Sequence, residues 1–120
     1  MTKYRMEIEI IGLPKTSNTH YSKWYVAASE RKKWRTKSKQ AAWHLRPVSP
    51  LKSYRLTCVR HSSAQPDFDN LAISFKSVVD GLKDAGIVED DKAEYCLERY
   101  YKWEKTPPRG GKITIIVEEL

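Results

Sequence analysis

The chain has 120 residues, a mass of 14.0 kDa and a net charge of +7. Hydrophobic residues make up 40% of it and aromatic residues 11%, which excludes a disordered chain, and the length excludes two independent domains of about 100 residues each. We therefore expect one folded domain over residues 1–120, and the positive charge favours a polyanion such as nucleic acid as its partner.

The first half of the chain contains the patterns of two strands and one helix. Residues 4–11 alternate apolar with charged side chains, which predicts a half-buried strand, and residues 12–18 form a turn cluster. Residues 29–45 are rich in helix-forming residues that place Trp34 on an apolar stripe, so we expect a helix there. Residues 53–60 alternate again and predict a second strand.

The second half predicts one helix and two further strands. Asp69 is placed to be the N-cap of a helix that Gly86 ends. Its buried stripe falls within an arc of about 100° and consists of Leu71, Phe75, Val78, Val79 and Leu82. Residues 94–103 and 113–117 alternate and predict strands joined as a hairpin. The order β-α-β-α-β-β predicts an α+β fold, with one mixed sheet and two helices packed on it.

Membrane and cysteine patterns bear on where the protein works. No apolar run approaches the roughly 20 residues that cross a bilayer, and the first ten residues alternate charge with hydrophobe where a signal peptide is continuously apolar. The two cysteines, Cys58 and Cys96, are too far apart in the sequence for a metal or redox motif, so we expect two buried thiols. These patterns predict a cytoplasmic protein without a membrane partner.

Carboxylates concentrate in three places, although the expected partner is a polyanion. They lie before, along and after the second predicted helix: Asp67 and Asp69, then Asp80 and Asp84, then Glu89, Asp90 and Asp91. Asp67 and Asp69 suit either a shared cation or the simpler roles of loop acid and helix cap. If the chain turns back at Gly86, the later acids approach the first pair, and a hard ion such as Mg²⁺ or Mn²⁺ fits such a group.

Lys76 has two interpretations. It follows Asp69 by seven residues, nearly two turns of a continuous helix, and precedes Asp80 by four. It is either an exposed lysine in an i,i+4 pair with Asp80, or a cation at the rim of a metal site that neutralises a phosphate or positions the attacking water.

The basic residues lie mainly in the first half of the chain. Residues 1–60 carry 14 Lys/Arg and three acids, whereas residues 61–120 carry 8 Lys/Arg and 12 acids. Only Glu30 balances the cations of the first predicted helix, which favours contact with nucleic-acid phosphates. The residues predicted to bind nucleic acid are Lys15, Asn18, Lys23, Arg31, Lys32, Arg35 and Lys39. Asn18, with Ser17, equally suits a simple turn.

Three tryptophans, an isoleucine and a histidine each have more than one interpretation. Trp24, Trp34 and Trp43 are interpreted as anchors of the core or of a dimer interface rather than as platforms on which nucleic-acid bases stack. Ile73 lies off the buried stripe, which fits a dimer contact or a wedge near DNA. His61 is interpreted as a structural residue rather than a phosphate ligand.

Four segments together form a familiar pattern: GLPKTSN, PDFDNL, SFKSVVDGLKDAGIVEDD and the closing KITIIVEE. With them the chain resembles the RusA family of Holliday junction resolvases over nearly its whole length. The series from Asp67 to Asp91 is the most specific part of this resemblance. The resemblance implies a single RusA-like domain over residues 1–120.

The resemblance also implies a function and a set of site residues. Members of the family are homodimeric, Mg²⁺-dependent endonucleases of bacteria and prophages, which bind four-way DNA junctions and nick two strands symmetrically in recombination and repair, without an organic cofactor. Carried over by position, the metal-binding aspartates are Asp67, Asp69 and Asp91, and the essential lysine is Lys76. Asp90 remains open as a replacement or assistant for Asp91, because adjacent residues of an extended chain point to opposite sides.

The sequence departs from the family pattern at one place. The family has three residues between the second aspartate and the lysine, whereas six separate Asp69 from Lys76, as though residues 72–74 were inserted. In a continuous helix such an insertion rotates the lysine by about 300°. Two alternative functions remain: a non-catalytic DNA-binding protein, and a nuclease for other branched DNA such as flaps or forks.

Overall fold

A computed structural model of the protein describes residues 3–15 and 24–120. These residues form an α+β fold with one four-stranded mixed sheet, as predicted. The elements in chain order are β1 (Arg5–Ile11), α1 (Trp24–Ala42), a single 3-10 turn (Trp43–Leu45), β2 (Tyr54–Ser62), α2 (Phe68–Ser74), α3 (Lys76–Asp84), β3 (Cys96–Lys105) and β4 (Lys112–Glu119). Each strand predicted from alternation is present, with bounds that shift by one or two residues.

The predicted hairpin between the last two strands is wrong. The strand order is β1-β4-β2-β3, so β4 lies between β1 and β2 and pairs antiparallel with both, whereas β3 pairs in parallel with β2 at the edge. The connection from β3 to β4 crosses the end of β2, where the Thr106 N–H donates to the Ser62 carbonyl at 3.0 Å. β4 has a continuous buried face and gains from neighbours on both sides, whereas the charged residues of β3 suit an edge.

One face of the sheet packs against the helices, and we call the other the open face. Alternate residues of β1, β4 and β2 meet on the helix-facing side: Met6, Ile8, Ile10, Leu56, Cys58, Ile113, Ile115 and Val117. Cys58 and Cys96 are both buried and unbonded to each other, as expected, and burial raises the pKa of the Cys58 thiol. The apolar alternation in the sequence therefore decides which face of each strand is buried.

α1 and α3 pack closely against each other. Trp34 of α1 is 2% exposed and belongs to the core, which confirms one of its two interpretations. The buried Ser38 hydroxyl donates to the Val78 carbonyl of α3 at 2.6 Å. A Cβ atom built on Gly81 would lie 2.4 Å from the Arg35 carbonyl oxygen, so only glycine permits this approach of the two helices.

The second predicted helix is present as two segments, α2 and α3, separated at Phe75. Phe75 is fully buried and stacks on Tyr101 with ring centroids 5.9 Å apart, and its N–H donates to the Ala72 carbonyl in a tighter turn. The expected N-cap is also wrong: Asp67 is the cap position, because the Leu71 N–H already bonds to the Asp67 carbonyl. Asp69 instead lies within the first turn of α2.

The described part of the chain contains no helix that is both long enough and apolar enough to span a membrane. α1, at 19 residues, has the length, but exposed Lys and Arg side chains occur along it. This finding agrees with the composition, in which no extended apolar run occurs.

Candidate active site

Lys76, the first residue of α3, lies between two carboxylates. Its Nζ atom is 3.2 Å from Oδ1 of Asp80, the i,i+4 pair that its spacing predicts, and 2.5 Å from Oδ2 of Asp91, which follows α3. The hydrogen bond from Lys76 lowers the pKa of the Asp91 carboxyl, and Asp91 in turn raises the pKa of Lys76. Both groups therefore stay charged near neutral pH.

Asp90 and Asp91 point to different partners. The Asp90 carboxylate accepts the N–H of Asp91 at 2.8 Å and lies 3.5 Å from Nζ of Lys83, on the last turn of α3. The Tyr54 hydroxyl donates to the main-chain oxygen of Asp90 at 2.5 Å, which holds the segment against β2. Of the two adjacent aspartates, Asp91 is thus the one whose side chain contacts Lys76.

A cleft of about 290 Å³ adjoins Asp91 and Lys76. Its lining residues come from α2, α3, β3 and the segment between them: Ala72, Ile73, Lys76, Val79, Asp91, Arg99 and Tyr101. Asp69 precedes Ala72 and Ile73 by three and four residues, so it belongs to the same face of α2, one turn nearer the helix start. Asp67 and Asp69 are both exposed.

The carboxylates of this region have the chemistry that a hard divalent cation prefers, since all their donor atoms are oxygens. Within residues 3–15 and 24–120, no three His, Cys, Asp or Glu side chains are grouped closely enough to hold a metal ion. Asp67, Asp69, Asp90 and Asp91 are therefore not assembled as one cage. Mg²⁺ is commonly bound by one or two carboxylates plus water and substrate phosphate, and the donor set fits that mode.

The break at Phe75 changes the argument about the three-residue insertion. The expected rotation of about 300° assumed one continuous helix, and the chain instead ends α2 at Ser74 and begins α3 at Lys76. Because the helix is broken, the seven-residue spacing no longer places Asp69 and Lys76 on one helical face. Lys76 is the first residue of α3, and its side chain is held by contacts with Asp80 and Asp91.

Arg99 of β3 belongs to the site, although sequence reasoning did not single it out. Its guanidinium donates to the main-chain oxygen of Asp91, and its side chain lines the cleft beside Tyr101. A register shift after Tyr54 leaves Leu97 exposed and sets Arg99 beside Leu56 on the helix-facing side. The overlooked sequence signal is that Arg99 is a charged residue on the same side of the alternation as the partly buried Tyr101.

A second cleft, of about 340 Å³, lies between α1 and the junction of α2 with α3. Lys15 and Arg31, two of the predicted DNA-binding residues, line it, and Lys76 and Ile73 line both clefts. Ile73 is 57% exposed, in agreement with its position off the buried stripe. Arg31 also lines a third concavity, of about 330 Å³, with Lys32, Arg35, Ser77 and Asp80. Basic residues of α1 thus adjoin the site.

The positive charge of α1 is balanced more than the sequence suggests. Arg35 binds Asp84 of α3 through two contacts, Nε to Oδ2 at 2.5 Å and Nη2 to Oδ1 at 2.8 Å, which lower the pKa of Asp84. The expectation that only Glu30 offsets these cations is therefore wrong for Arg35. Arg31, Lys32 and Lys39 remain exposed, and Asn18, Ser17 and Lys23 lie outside the described residues.

Trp43 is not a core anchor, since its side chain is 50% exposed.

His61 has the structural contacts that were expected for it: Nε2 lies 2.9 Å from the Thr114 hydroxyl and Nδ1 lies 3.2 Å from Glu104. The side chain of Trp24 lies outside the described part of the structure.

Compared with models of known protein families and with curated protein sequences, the chain matches none. The site is therefore interpreted from its own residues, and the RusA resemblance remains a hypothesis about them.

Proposed function

We propose that the chain is a Mg²⁺-dependent endonuclease of the RusA type, which resolves Holliday junctions in DNA recombination and repair by nicking two strands symmetrically, as a cytoplasmic homodimer. The observation that carries the proposal is the contact of Lys76 with Asp91 at 2.5 Å, beside α2, whose cap position is Asp67 and whose first turn contains Asp69. These four residues are the catalytic set that the resemblance implies. Mn²⁺ is a substitute ion of similar ligand preference.

Each member of the set has a role that its environment supports. Asp67, Asp69 and Asp91 would hold the ion with their carboxylate oxygens. When bound, Mg²⁺ supplies a Lewis acid that activates water and stabilises the charge developing on the scissile phosphate. Lys76 orients the Asp91 carboxylate through their hydrogen bond and offers a positive charge to the phosphate.

DNA binding is supported by the basic residues next to the clefts. Arg31 and Lys32 are exposed on α1 near Ser77 and Asp80 of α3, so they are within reach of a backbone whose phosphate lies at Lys76. Such contacts are independent of base sequence and sensitive to salt. Two copies related by a two-fold axis would act on opposite strands of a branched substrate, as symmetric nicking requires.

The test is cleavage of a synthetic mobile four-way junction by the purified protein. A matched linear duplex, a flap and a fork serve as competing substrates, and each is incubated with Mg²⁺, Mn²⁺ or a chelator. We expect paired nicks placed symmetrically across the junction, only with a divalent ion. Asp67→Asn and Asp69→Asn should lose nicking and still bind the junction, because each removes a metal ligand and some repulsion from phosphate.

Other outcomes select the alternatives. Metal-dependent nicks confined to the flap or the fork would make the protein a nuclease for other branched DNA. Tight junction binding without nicks in either ion would favour the non-catalytic DNA-binding protein. One observation favours that second candidate: among the described residues, Asp91 is already neutralised by Lys76 and no three carboxylates are grouped for a metal. Full activity of Asp67→Asn would contradict the proposed catalytic set.

A further inference from the structure

Trp43 presents an exposed aromatic ring that two cations hold in place. The guanidinium of Arg46 lies 3.8 Å from the ring centroid, and its Nη1 donates to the Trp43 carbonyl at 2.8 Å. Nζ of Lys39, one turn earlier on α1, lies 5.6 Å from the same centroid. Both separations are those of cation–π contacts. The orientation of this half-exposed indole is thus set by charged side chains rather than by the core.

An open groove of about 520 Å³ adjoins the ring. Its lining residues form one stripe along α1 and the turn after it: Thr36, Lys39, Gln40 and Trp43. Arg46 does not contribute to the lining, so its guanidinium covers one side of the ring while the groove lies at another. The groove therefore combines an aromatic wall with a lysine, an amide and a hydroxyl, and its volume suits a ligand of nucleotide size.

The charge around the groove is strongly positive. Residues 31–46, from the middle of α1 to Arg46, contain seven Lys/Arg and no Asp or Glu. Asp84, the carboxylate that interacts with Lys39, is already bound by Arg35 in a two-contact pair. A second copy of this chain, docked about a two-fold axis here, would oppose this basic stripe to itself, which like-charge repulsion disfavours. The charge favours an anionic partner that also carries flat rings.

We propose that Trp43 and Lys39 form a binding site for an unpaired nucleotide of a DNA strand, with Arg46 holding the indole from its other side. The indole stacks on the base, and Lys39 binds a flanking phosphate. Stacking on an aromatic ring tolerates any base, so the site selects unpaired strands rather than a sequence. This inference goes beyond the proposed function, because it predicts binding of single strands in the absence of any metal ion and of any cleavage.

The test is fluorescence anisotropy of a labelled 12-nucleotide oligothymidylate in the presence of a chelator, with the full chain. We expect Trp43→Ala to raise the Kd at least about fivefold, and Trp43→Phe to restore most of the affinity, because a phenyl ring still stacks. Lys39→Gln should reduce the slope of log Kd against log salt by roughly 0.7, the value for one phosphate of a single strand. Tyr100→Ala, at an exposed aromatic residue of the open face, is the matched control and should leave the Kd unchanged.

An abasic oligonucleotide of the same length separates stacking from charge. The wild-type protein should bind it about as weakly as Trp43→Ala binds oligothymidylate, and Trp43→Ala should bind both strands equally. Equal affinity of the wild type and Trp43→Ala for oligothymidylate, or no binding by the wild type, would overturn the site. A change of Trp43→Ala from dimer to monomer in sedimentation, without a change in strand binding, would assign the ring to a second copy. Because the test measures binding without nicking, its result is independent of whether the protein cleaves junctions.

Discussion

The ammonium group of Lys76 lies 2.5 Å from the carboxylate of Asp91, 15 residues further along the chain. This contact joins the start of α3 to the segment that follows the helix. It also distinguishes the two adjacent aspartates, since the Asp90 carboxylate contacts Lys83 instead. The Lys76–Asp91 ion pair is partly exposed, so it contributes about 1 kcal/mol or less to the free energy of unfolding. The contact matters because it fixes the position of the Asp91 carboxylate.

The two aspartates should differ in their effect on cleavage. We expect Asp91→Asn to lower junction nicking by roughly 100-fold or more with junction binding retained, because the amide removes a negative ligand and the partner of Lys76. Asp90→Asn should keep most of the activity. Nicking rates under single-turnover conditions, with binding measured in a chelator, check both. If Asp90→Asn is the inactive variant and Asp91→Asn is not, the assignment of the two residues is reversed.

Arg99 is expected to act as a positioning residue, because its guanidinium binds the main-chain oxygen of Asp91. Arg99→Ala should lower the nicking rate about tenfold with little change in the junction concentration at half-saturation, and raise the Mg²⁺ concentration needed. Arg99→Lys should recover part of the rate. Lys102→Ala, at an exposed position of the same strand, is the control. Equal rates for Arg99→Ala and Lys102→Ala would remove Arg99 from the site.

Gly81 is expected to be the most sensitive position of the α1–α3 contact. A Cβ atom there would lie 2.4 Å from the Arg35 carbonyl oxygen and 2.6 Å from Cβ of Ser38, so the helices must separate. Gly81→Ala should lower the free energy of unfolding by about 2 kcal/mol, although alanine is the better helix former. Urea unfolding measures this, with Lys83→Ala on an exposed part of α3 as the control. A loss below about 0.5 kcal/mol would show that the helices adapt without cost.

The Arg35–Asp84 pair predicts a pH dependence of stability. Arg35 lowers the pKa of Asp84 below its ordinary 3.8, so the pair stabilises the fold fully above that pH and the contribution is lost as the pH falls through the folded-state pKa. Asp84→Asn should cost about 0.5 kcal/mol at pH 6, with the difference from wild type shrinking below pH 3.8. Urea unfolding from pH 6 to 2.5 measures it, and 1 M salt should reduce the difference, since Arg35 is half exposed. A difference that stays constant below pH 3.8 would contradict the pair.

Much of the secondary structure was predictable because its signal is local. The alternation around Ile8 and the stripe through Val78 and Leu82 depend only on the period of a strand and of a helix, and both are confirmed. The break at Phe75 was not predictable in this way, since Phe75 itself fits the helical stripe. It accompanies the burial of its ring against Tyr101, a residue of β3 that lies 26 positions further along the chain.

Of the candidate site, the sequence indicated the residue types and the structure decided their partners. The spacing of Lys76 and Asp80 predicts their pair, because four residues are about one helical turn. Spacing carries no information on whether Asp90 or Asp91 faces Lys76, or on Arg99, because those contacts join α3 and β3 through a turn whose path is set by packing.

The sequence by itself therefore determined the class of fold, the buried face of each strand and the segments in which acids and cations concentrate, because periodicity and charge are properties of consecutive residues. Only the tertiary structure decided that β4 lies between β1 and β2, that Arg35 is paired with Asp84, and that Trp43 stays exposed. Each of these depends on which distant surfaces bury the most apolar area together, and that free energy is a sum over the whole chain rather than over any one segment.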